Sequence, residues 1–189
     1  MKKLLRCLFG FLFVCVLYWL DQITKLWAVA VLKDQPPIPL IPGILELRYL
    51  ENRGAAFGIM QNKQWFFVLV TLIILALILY IFFKLPEDRK YTLLTVLLLF
   101  IAAGAVGNLT DRLLQNYVVD FIYAVCINFP IFNVADMYVS VSTCVLVLSL
   151  LFYYKEEDFS FLSKKGNASF DAVMDSSGSR NDTDPKKKP

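Results

Sequence analysis

Asp120 and Asp136 lie in a stretch of almost purely apolar and aromatic residues, Tyr117 to Tyr138, which reads YVVDFIYAVCINFPIFNVADMY. An aspartate placed in hydrocarbon costs roughly 2.5 to 3.5 kcal/mol on insertion scales, so each one needs a reason to be there. Two carboxyl groups held close together share one proton and can activate a water molecule. The pair therefore predicts an aspartyl dyad that activates water at a membrane surface.

Each aspartate also has a purely structural explanation. Asn133 stands three residues before Asp136, so Asn133 would cap a helix and Asp136 would be an acid of its first turn, favoured by the helix dipole. Asp120 interrupts the apolar run VVDFIY, and an ion pair with Arg112 would explain it. Both explanations stay open beside the dyad.

A second group of polar residues lies at the end of an apolar run. Asn108, Asp111 and Arg112 follow one another at the helical spacings i, i+3 and i+4, so they form one polar stripe. Such a stripe suits a functional site, and it equally suits a salt-bridge cluster at a helix end. Upstream, Gly104 and Gly107 are small residues at helix-contact spacing, for which packing alone is a sufficient reason.

Two further motifs come earlier in the chain. Asp21 and Lys25 form an acid–base pair at i, i+4 spacing, which is either part of a site or a surface ion pair. Asn52 and Gly54 belong to the turn-forming segment ENRGAAFG, where an asparagine can also be present because it tolerates left-handed backbone. Taken singly, none of these motifs decides between chemistry and structure.

The composition is that of a membrane protein. Hydrophobic residues make up 58% of the 189 residues and the mean hydropathy is +0.58, values outside the range of soluble globular domains. The net charge of +3 is small, and no motif that reads a nucleic-acid groove is present. We therefore expect a polytopic membrane protein with one domain and no nucleic-acid partner.

The chain contains no histidine, and this limits the chemistry it can perform. Ser-His and Cys-His catalysis, His-ligated zinc and the HExxH metalloprotease mechanism are excluded. The cysteines lie in apolar surroundings without a CxxC pair, which is typical of buried thiols. An enzyme of this composition must use carboxylates, a lysine or a bound ion as acid and base; we expect no metal and no cofactor.

Four apolar runs are each long enough for a helix that crosses the hydrocarbon core. The start, MKKLLRCLFGFLFVCVLYWL, also suits a secretory signal peptide, but no small-x-small cleavage site follows it. Basic residues are concentrated before the first run, between the second and third, and after the fourth, so both termini should face the cytoplasm. The predicted spans are about 8–32, 65–83, 91–110 and 133–154.

This topology places the polar motifs at the outer face of the membrane. Between the first two spans, prolines in QPPIPLIPG favour extended backbone, and Leu45, Leu47 and Tyr49 then alternate with charged residues. The predicted fold class is an all-α membrane protein with four transmembrane helices and a small extracytoplasmic sheet-like loop between the first two. Residues 1–155 would form this domain, and residues 156–189 have the polar composition of a disordered cytoplasmic tail.

Together, and in this order, the motifs resemble those of lipoprotein signal peptidase, also called signal peptidase II. The resemblance extends over about residues 8–154. It has one departure, Ala103, where the family usually has a glycine. The motifs that carry it are DQITK, ENRGAAFG, AGAVGNLTDR, VVDF and FNVAD.

The resemblance implies an aspartyl endopeptidase of the bacterial inner membrane, which removes signal peptides from prolipoproteins on the amino side of a diacylglyceryl-modified cysteine. It implies that Asp120 and Asp136 are the catalytic acids. Substrate binding or dyad support would come from Asn52, Asn108, Arg112 and Asn133, and structural support from Asp21, Lys25, Asp111, Gly54 and Gly107. The implied partners are the lipid-modified prolipoprotein and membrane lipids, and the enzyme would act as a monomer.

Two other classes of function would use the same residues. Intramembrane acids also mark ion pathways, so a proton- or cation-coupled carrier is the main alternative, although carriers usually place such acids near the membrane midplane in repeated halves. The other alternative is a non-catalytic scaffold whose polar residues only join helices. Other intramembrane aspartyl peptidases fit poorly, because their GxGD signature is missing.

Overall fold

Four long helices dominate the structure, a computed structural model that describes residues 2–54 and 63–163. Each helix is long and apolar enough to cross a membrane, and many of their large apolar side chains are exposed, as expected where the surrounding solvent is lipid. The prediction of four spans is confirmed. The helices are α1 (Lys2–Leu32), α2 (Gln64–Lys84), α3 (Thr92–Gln115) and α4 (Val134–Phe152).

Helix α3 is central to the bundle, because it packs against each of the other three long helices. It approaches α4 closely at Gly104, where a Cβ atom would meet the backbone carbonyl oxygen of Ala135. The predicted third span ended at residue 110, but the helix continues to Gln115 and stops at Asn116, whose backbone is left-handed (φ 61°). The whole polar stripe is therefore helical.

A three-stranded antiparallel sheet, in the order β1-β2-β3, joins the segments at one end of the bundle. β1 (Ile38–Ile41) and β2 (Leu45–Asn52) lie between α1 and α2, where the sequence predicts a sheet. β3 (Val118–Ala124) follows α3 and pairs with β2, which puts Asp120 opposite Leu50. The predicted small sheet is confirmed, and its third strand, which carries one of the two acids, is an addition that the sequence pattern did not predict.

The apolar residues of β3 hold this strand against the end of α1. Val119 and Phe121 belong to a buried cluster with Ala28, and Trp27 meets the Phe121 ring edge-on, with 6.4 Å between the ring centroids. Successive side chains of a strand alternate between its two faces. Because Val119 and Phe121 pack against α1, Asp120, which lies between them, is on the opposite face of the strand, toward the start of α4.

The other end of the bundle is closed by the residues that follow α4. A 3₁₀ turn (Glu156–Phe159) and a short helix, α5 (Ser160–Ser163), fold back toward the connection between α2 and α3. An ion pair fixes this arrangement, with Lys90 Nζ 2.5 Å from Asp158 Oδ1. The segment also packs through its aromatic side chains on an apolar cluster that includes Tyr154.

This closing segment differs from the sequence prediction, in which the disordered tail begins at residue 156. Phe159 and Phe161 find apolar partners on the bundle, and Asp158 accepts the Lys155 backbone N–H at 3.0 Å. The folded part therefore reaches at least residue 163. Residues 164–189 of the predicted tail lie outside the described residues.

Candidate active site

Asp120 and Asp136 line the same cavity, which has a volume of about 500 Å³. β3 contributes Asp120, and the first turn of α4 contributes Asp136. Asn52 and Arg112 also line this cavity, and the rest of its wall is largely apolar. Two acids that are distant in sequence therefore open into one space with a mixed polar and apolar lining.

Asp120 is buried, with 1% of its surface exposed, and both of its carboxylate oxygens accept hydrogen bonds from side-chain amides. Oδ2 accepts from Asn52 Nδ2 at 2.8 Å, and Oδ1 accepts from Asn133 Nδ2 at 2.7 Å. Burial and the negative charge of Asp136 raise the pKa of Asp120 to about 7, while the two amide donors act in the opposite direction. Asp120 therefore has the proton affinity that suits acid–base chemistry near neutral pH.

Asp136 and Asn133 form a capping box at the start of α4. Asn133 Oδ1 accepts from the Asp136 backbone N–H at 2.9 Å, and Asp136 Oδ2 accepts from the Asn133 backbone N–H at 3.1 Å. The other oxygen of Asp136 accepts from Asn108 Nδ2 at 2.7 Å. The helix-cap explanation is thus correct, and it is compatible with a dyad because the cap uses only one carboxylate oxygen.

Both amides beside Asp120 have their orientation fixed by a group that can only donate. Asn52 Oδ1 accepts from the Gly54 backbone N–H at 3.0 Å, and Asn133 Oδ1 accepts from the Asp136 backbone N–H. With its oxygen engaged in this way, each amide turns its NH₂ group toward Asp120. The surroundings of this carboxylate are therefore built from donors.

A buried ion cluster adjoins the dyad. Lys25 Nζ lies 2.8 Å from Asp21 Oδ2 and 2.9 Å from Asp111 Oδ2, and it donates to Asn108 Oδ1 at 2.8 Å. The three charged side chains are all buried. The pair of Asp21 and Lys25 is therefore an interior contact, and the alternative of a surface ion pair is wrong.

Gln22 completes this cluster, although it is not among the site residues that the sequence predicts. Its Nε2 donates to Asp21 Oδ2 at 3.1 Å and to Asp111 Oδ1 at 3.2 Å. Asp21 Oδ1 in turn accepts the Ala135 backbone N–H at 2.9 Å, in the first turn of α4. Gly107 provides the space, because a Cβ atom there would lie 2.5 Å from Asp21 Oδ2. The only sequence signal for Gln22 was its position inside the motif DQITK.

Arg112 lines the cavity of the two acids and, within residues 2–54 and 63–163, forms no ion pair. Its guanidinium lies 5.1 Å from the centroid of the Phe67 ring, and Nη1 donates to the Asn108 carbonyl oxygen at 3.4 Å. The ion pair with Asp120 that could have explained this acid is therefore not formed. The guanidinium keeps N–H groups available to a ligand in the cavity.

Gly54, the last of the predicted site residues, also lines the cavity of the two acids. Of the motif ENRGAAFG, residues 55–58 lie outside the described residues. Across the described part of the chain, no group of three or more Cys, Asp or Glu side chains is arranged to hold a metal ion. The structure brings Asn52, Asn108 and Asn133 to the acids, Arg112 into their cavity, and Asp21, Lys25, Asp111 and Gly107 into the adjoining cluster.

The fold and the site define a polytopic membrane protein in which two acids share a cavity at one end of a bundle of four long helices. The chain belongs to the signal peptidase II family, whose sequence profile matches residues 13–152. Membership of this family makes it a membrane peptidase.

Similar proteins and structures agree with this assignment. A lipoprotein signal peptidase of Streptococcus pyogenes serotype M5 (strain Manfredo) is 42% identical over 140 residues, which cover 74% of this chain and 89% of that protein. The lipoprotein signal peptidase of Streptococcus pyogenes serotype M3 (strain SSI-1) is 41% identical over the same shares. A bacterial membrane enzyme solved by the in meso method at 2.3 Å resolution is 33% identical, with a TM-score of 0.66, and the match covers 78% of this chain and 92% of that one.

Proposed function

We propose that the chain is an aspartic-type endopeptidase that removes signal peptides from diacylglyceryl-modified bacterial prolipoproteins, cutting on the amino side of the lipidated cysteine. The observation that carries this proposal is the placement of Asp120 and Asp136 in one cavity, each held by amide donors. Membership of the signal peptidase II family and the similarity to lipoprotein signal peptidases support the choice of substrate.

The mechanism follows from the sharing of one proton by two carboxyl groups, because two negative charges in one small space are unfavourable. The ionised group takes a proton from a water molecule as the water oxygen bonds to the scissile carbonyl carbon. The protonated group donates a hydrogen bond to the developing oxyanion. The C–N bond then breaks while a proton passes to the leaving amine. At rest the proton belongs to the pair and not to either aspartate.

The polar residues around the acids divide into supports and a substrate-binding group. Asn52 donates to Asp120 and accepts from Gly54, so it acts as a support of the dyad. Arg112 lies in the cavity with no ionic partner among the described residues. Its guanidinium would therefore bind carbonyl oxygens of the substrate.

The apolar wall of the cavity suits a substrate that stays in the membrane. Phe129, in the loop before α4, and Met137 and Val141, on α4, line it and are exposed. On a spanning helix such exposure means contact with lipid. The signal helix and the acyl chains of the substrate would lie along this wall while the peptide bond reaches the acids. Membrane lipids are thus a second partner, and a monomer suffices because one chain supplies every group named above.

The distribution of aromatic and basic side chains supports an orientation with both termini in the cytoplasm, and the similarity to bacterial lipoprotein signal peptidases supports a location in the bacterial inner (cytoplasmic) membrane. Trp27, near the end of α1, and Trp65, at the start of α2, lie at the sheet end. Lys84, Arg89 and Lys90 lie at the opposite end, where the positive-inside rule places the cytoplasm. The acids would then lie near the outer face, where water meets lipid.

The test is a cleavage assay with the full chain in lipid vesicles, given diacylglyceryl-modified and unmodified prolipoprotein. The modified substrate should be cut and the unmodified one should not. Asp120→Asn and Asp136→Asn should each lower the rate by about 10²- to 10⁴-fold without affecting membrane insertion. Asp34→Asn is the matched control, because Asp34 is exposed and its left-handed backbone (φ 58°) also suits asparagine.

Three outcomes would contradict the proposal. Wild-type cleavage by the Asp120→Asn, Asp136→Asn double variant would refute the aspartyl mechanism. Uptake of protons or cations by the same vesicles, without cleavage, would favour the carrier. A wild-type chain that cuts nothing, together with acid variants that fail to fold, would favour the scaffold.

A further inference from the structure

Lys25 makes one polar contact in addition to its two ion pairs. Asp21 and Asp111 already give its ammonium two carboxylate partners. The third bond goes to a neutral acceptor, Asn108 Oδ1, at 2.8 Å. Lys25 lines a separate cavity from the one that holds the two acids, so any effect of Lys25 on the reaction has to pass through another residue.

Asn108 is placed to transmit such an effect. Its oxygen accepts from Lys25 and, at the longer distance of 3.2 Å, from Asn133 Nδ2, while its Nδ2 donates to Asp136 Oδ1 at 2.7 Å. If the amide were reversed, its NH₂ group would face the ammonium, and its oxygen would face a carboxylate oxygen. A charged donor makes the stronger hydrogen bond. Lys25 therefore decides the orientation of Asn108 and, with it, the donor that Asp136 meets.

We propose that Lys25 is a positioning residue for the two acids, and that it acts by fixing the side-chain amide of Asn108 so that an N–H donor always faces Asp136. This role rests on the proposed function, because it concerns the same reaction. A merely structural ion pair would stabilise the bundle without changing turnover by the folded enzyme.

The experiment measures kcat and KM in vesicles with diacylglyceryl-modified prolipoprotein, using the full chain and variants normalised to folded protein. Lys25→Met should lower kcat by about 100-fold, the loss expected when a catalytic group is misplaced by about 1 Å, while KM changes little. Asn108→Ala should have a similar effect. The combination should be no slower than Asn108→Ala alone, because both changes remove the same interaction.

Arg6→Met is the matched control for the loss of a cation from α1. Arg6 donates to the backbone carbonyl oxygens of Leu85 and Phe82 at the other end of the bundle, at 2.9 and 2.7 Å. Its replacement should lower the melting temperature and leave kcat of the folded enzyme unchanged. A similar result for Lys25→Met would assign Lys25 a structural role only.

A second variant keeps the test decisive, because Lys25→Met leaves two buried carboxylates without their counter-charge and can unfold the chain. In Asn108→Asp the new carboxylate still binds Lys25 but has no N–H group for Asp136. This variant should fold and lose kcat by a similar factor. Wild-type kcat in Asn108→Asp, or additive losses in the combined variant, would overturn the role of Lys25.

These outcomes are separable from those of the proposed function. If the wild type cuts the lipidated substrate and Asp120→Asn does not, the function stands, and the Lys25 and Asn108 variants decide the positioning role. If the wild type does not cut, or Asp120→Asn cuts equally fast, the proposed function fails whatever the Lys25 variants do.

Discussion

The side-chain amide of Asn133 donates a hydrogen bond of 2.7 Å to Asp120, from the start of α4 to the strand β3. The oxygen of the same amide accepts the Asp136 backbone N–H. One residue therefore begins the helix that carries one acid and also holds the other acid. This relationship explains how two acids from different elements of secondary structure come to face one cavity.

Asn133→Ser separates these two tasks. Serine is about as good a helix N-cap as asparagine, so the melting temperature should change little. A serine hydroxyl that caps the helix takes the place of the amide oxygen, and the side chain has no second atom that extends to Asp120 as Asn133 Nδ2 does, so kcat should fall by about 100-fold. Cleavage kinetics and thermal unfolding of the same preparation would measure both effects.

Asn133→Ala is the comparison for this variant, because alanine removes the cap and the donor together. It should lose kcat as Asn133→Ser does and, in addition, about 1 kcal/mol of stability. A serine variant that turns over at the wild-type rate would contradict the role of Asn133 in holding Asp120.

The raised pKa of Asp120 should make stability depend on pH. Burial and the charge of Asp136 raise this pKa from the ordinary value of 3.8 to about 7, so the folded chain holds the proton more tightly than the unfolded chain does. The resulting stabilisation is complete below about pH 4 and is lost as the pH rises through about 7. Melting temperatures of the wild type should fall more steeply over this range than those of Asp120→Asn. Parallel curves would show that Asp120 does not titrate in this way.

Gly104→Ala should destabilise the contact between α3 and α4. The added Cβ atom would meet the carbonyl oxygen of Ala135, and backbone in a helix cannot rotate away. We expect the free energy of unfolding to fall by about 1–3 kcal/mol, measured by unfolding in detergent. Gly10→Ala is the matched control, because its nearest neighbour is the end of the Phe82 side chain at 3.2 Å, which can move. Equal losses in the two variants would contradict close packing at Gly104.

Two truncations test the segment that closes the other end of the bundle. A chain that ends at Lys165 should keep the wild-type kcat and melting temperature. A chain that ends at Lys155 loses Phe161, whose ring centroid lies 5.6 Å from that of Tyr91, and Phe159, which lies 5.8 Å from Tyr154. Its melting temperature should be clearly lower. Identical melting curves for the two truncated chains would show that the segment contributes nothing. Lost turnover in the chain that ends at Lys165 would contradict the prediction that the tail is dispensable.

Several features of the fold could be predicted because short stretches of sequence determine them. The length of each apolar run is set by the thickness of the hydrocarbon core, so the four spans could be recognised without knowing how they pack. Asp120 and Asp136 stood out because an acid among apolar residues is unfavourable wherever the chain goes. The helix cap formed by Asn133 was likewise predictable, since its partner is only three residues away.

Other features depended on contacts between residues far apart in the chain. Spacing showed that Asp21 and Lys25 share a helix face, but it did not show that this face is buried against α3. Nor did it show that β3 joins the sheet formed before α2, or that Lys25 reaches Asn108. The sequence by itself determined which residues are costly to place in a membrane, because that cost belongs to each side chain. Only the tertiary structure decided which partners offset this free-energy cost. Hydrogen bonds and ion pairs depend on distances of about 3 Å between residues, and no local sequence pattern determines those distances.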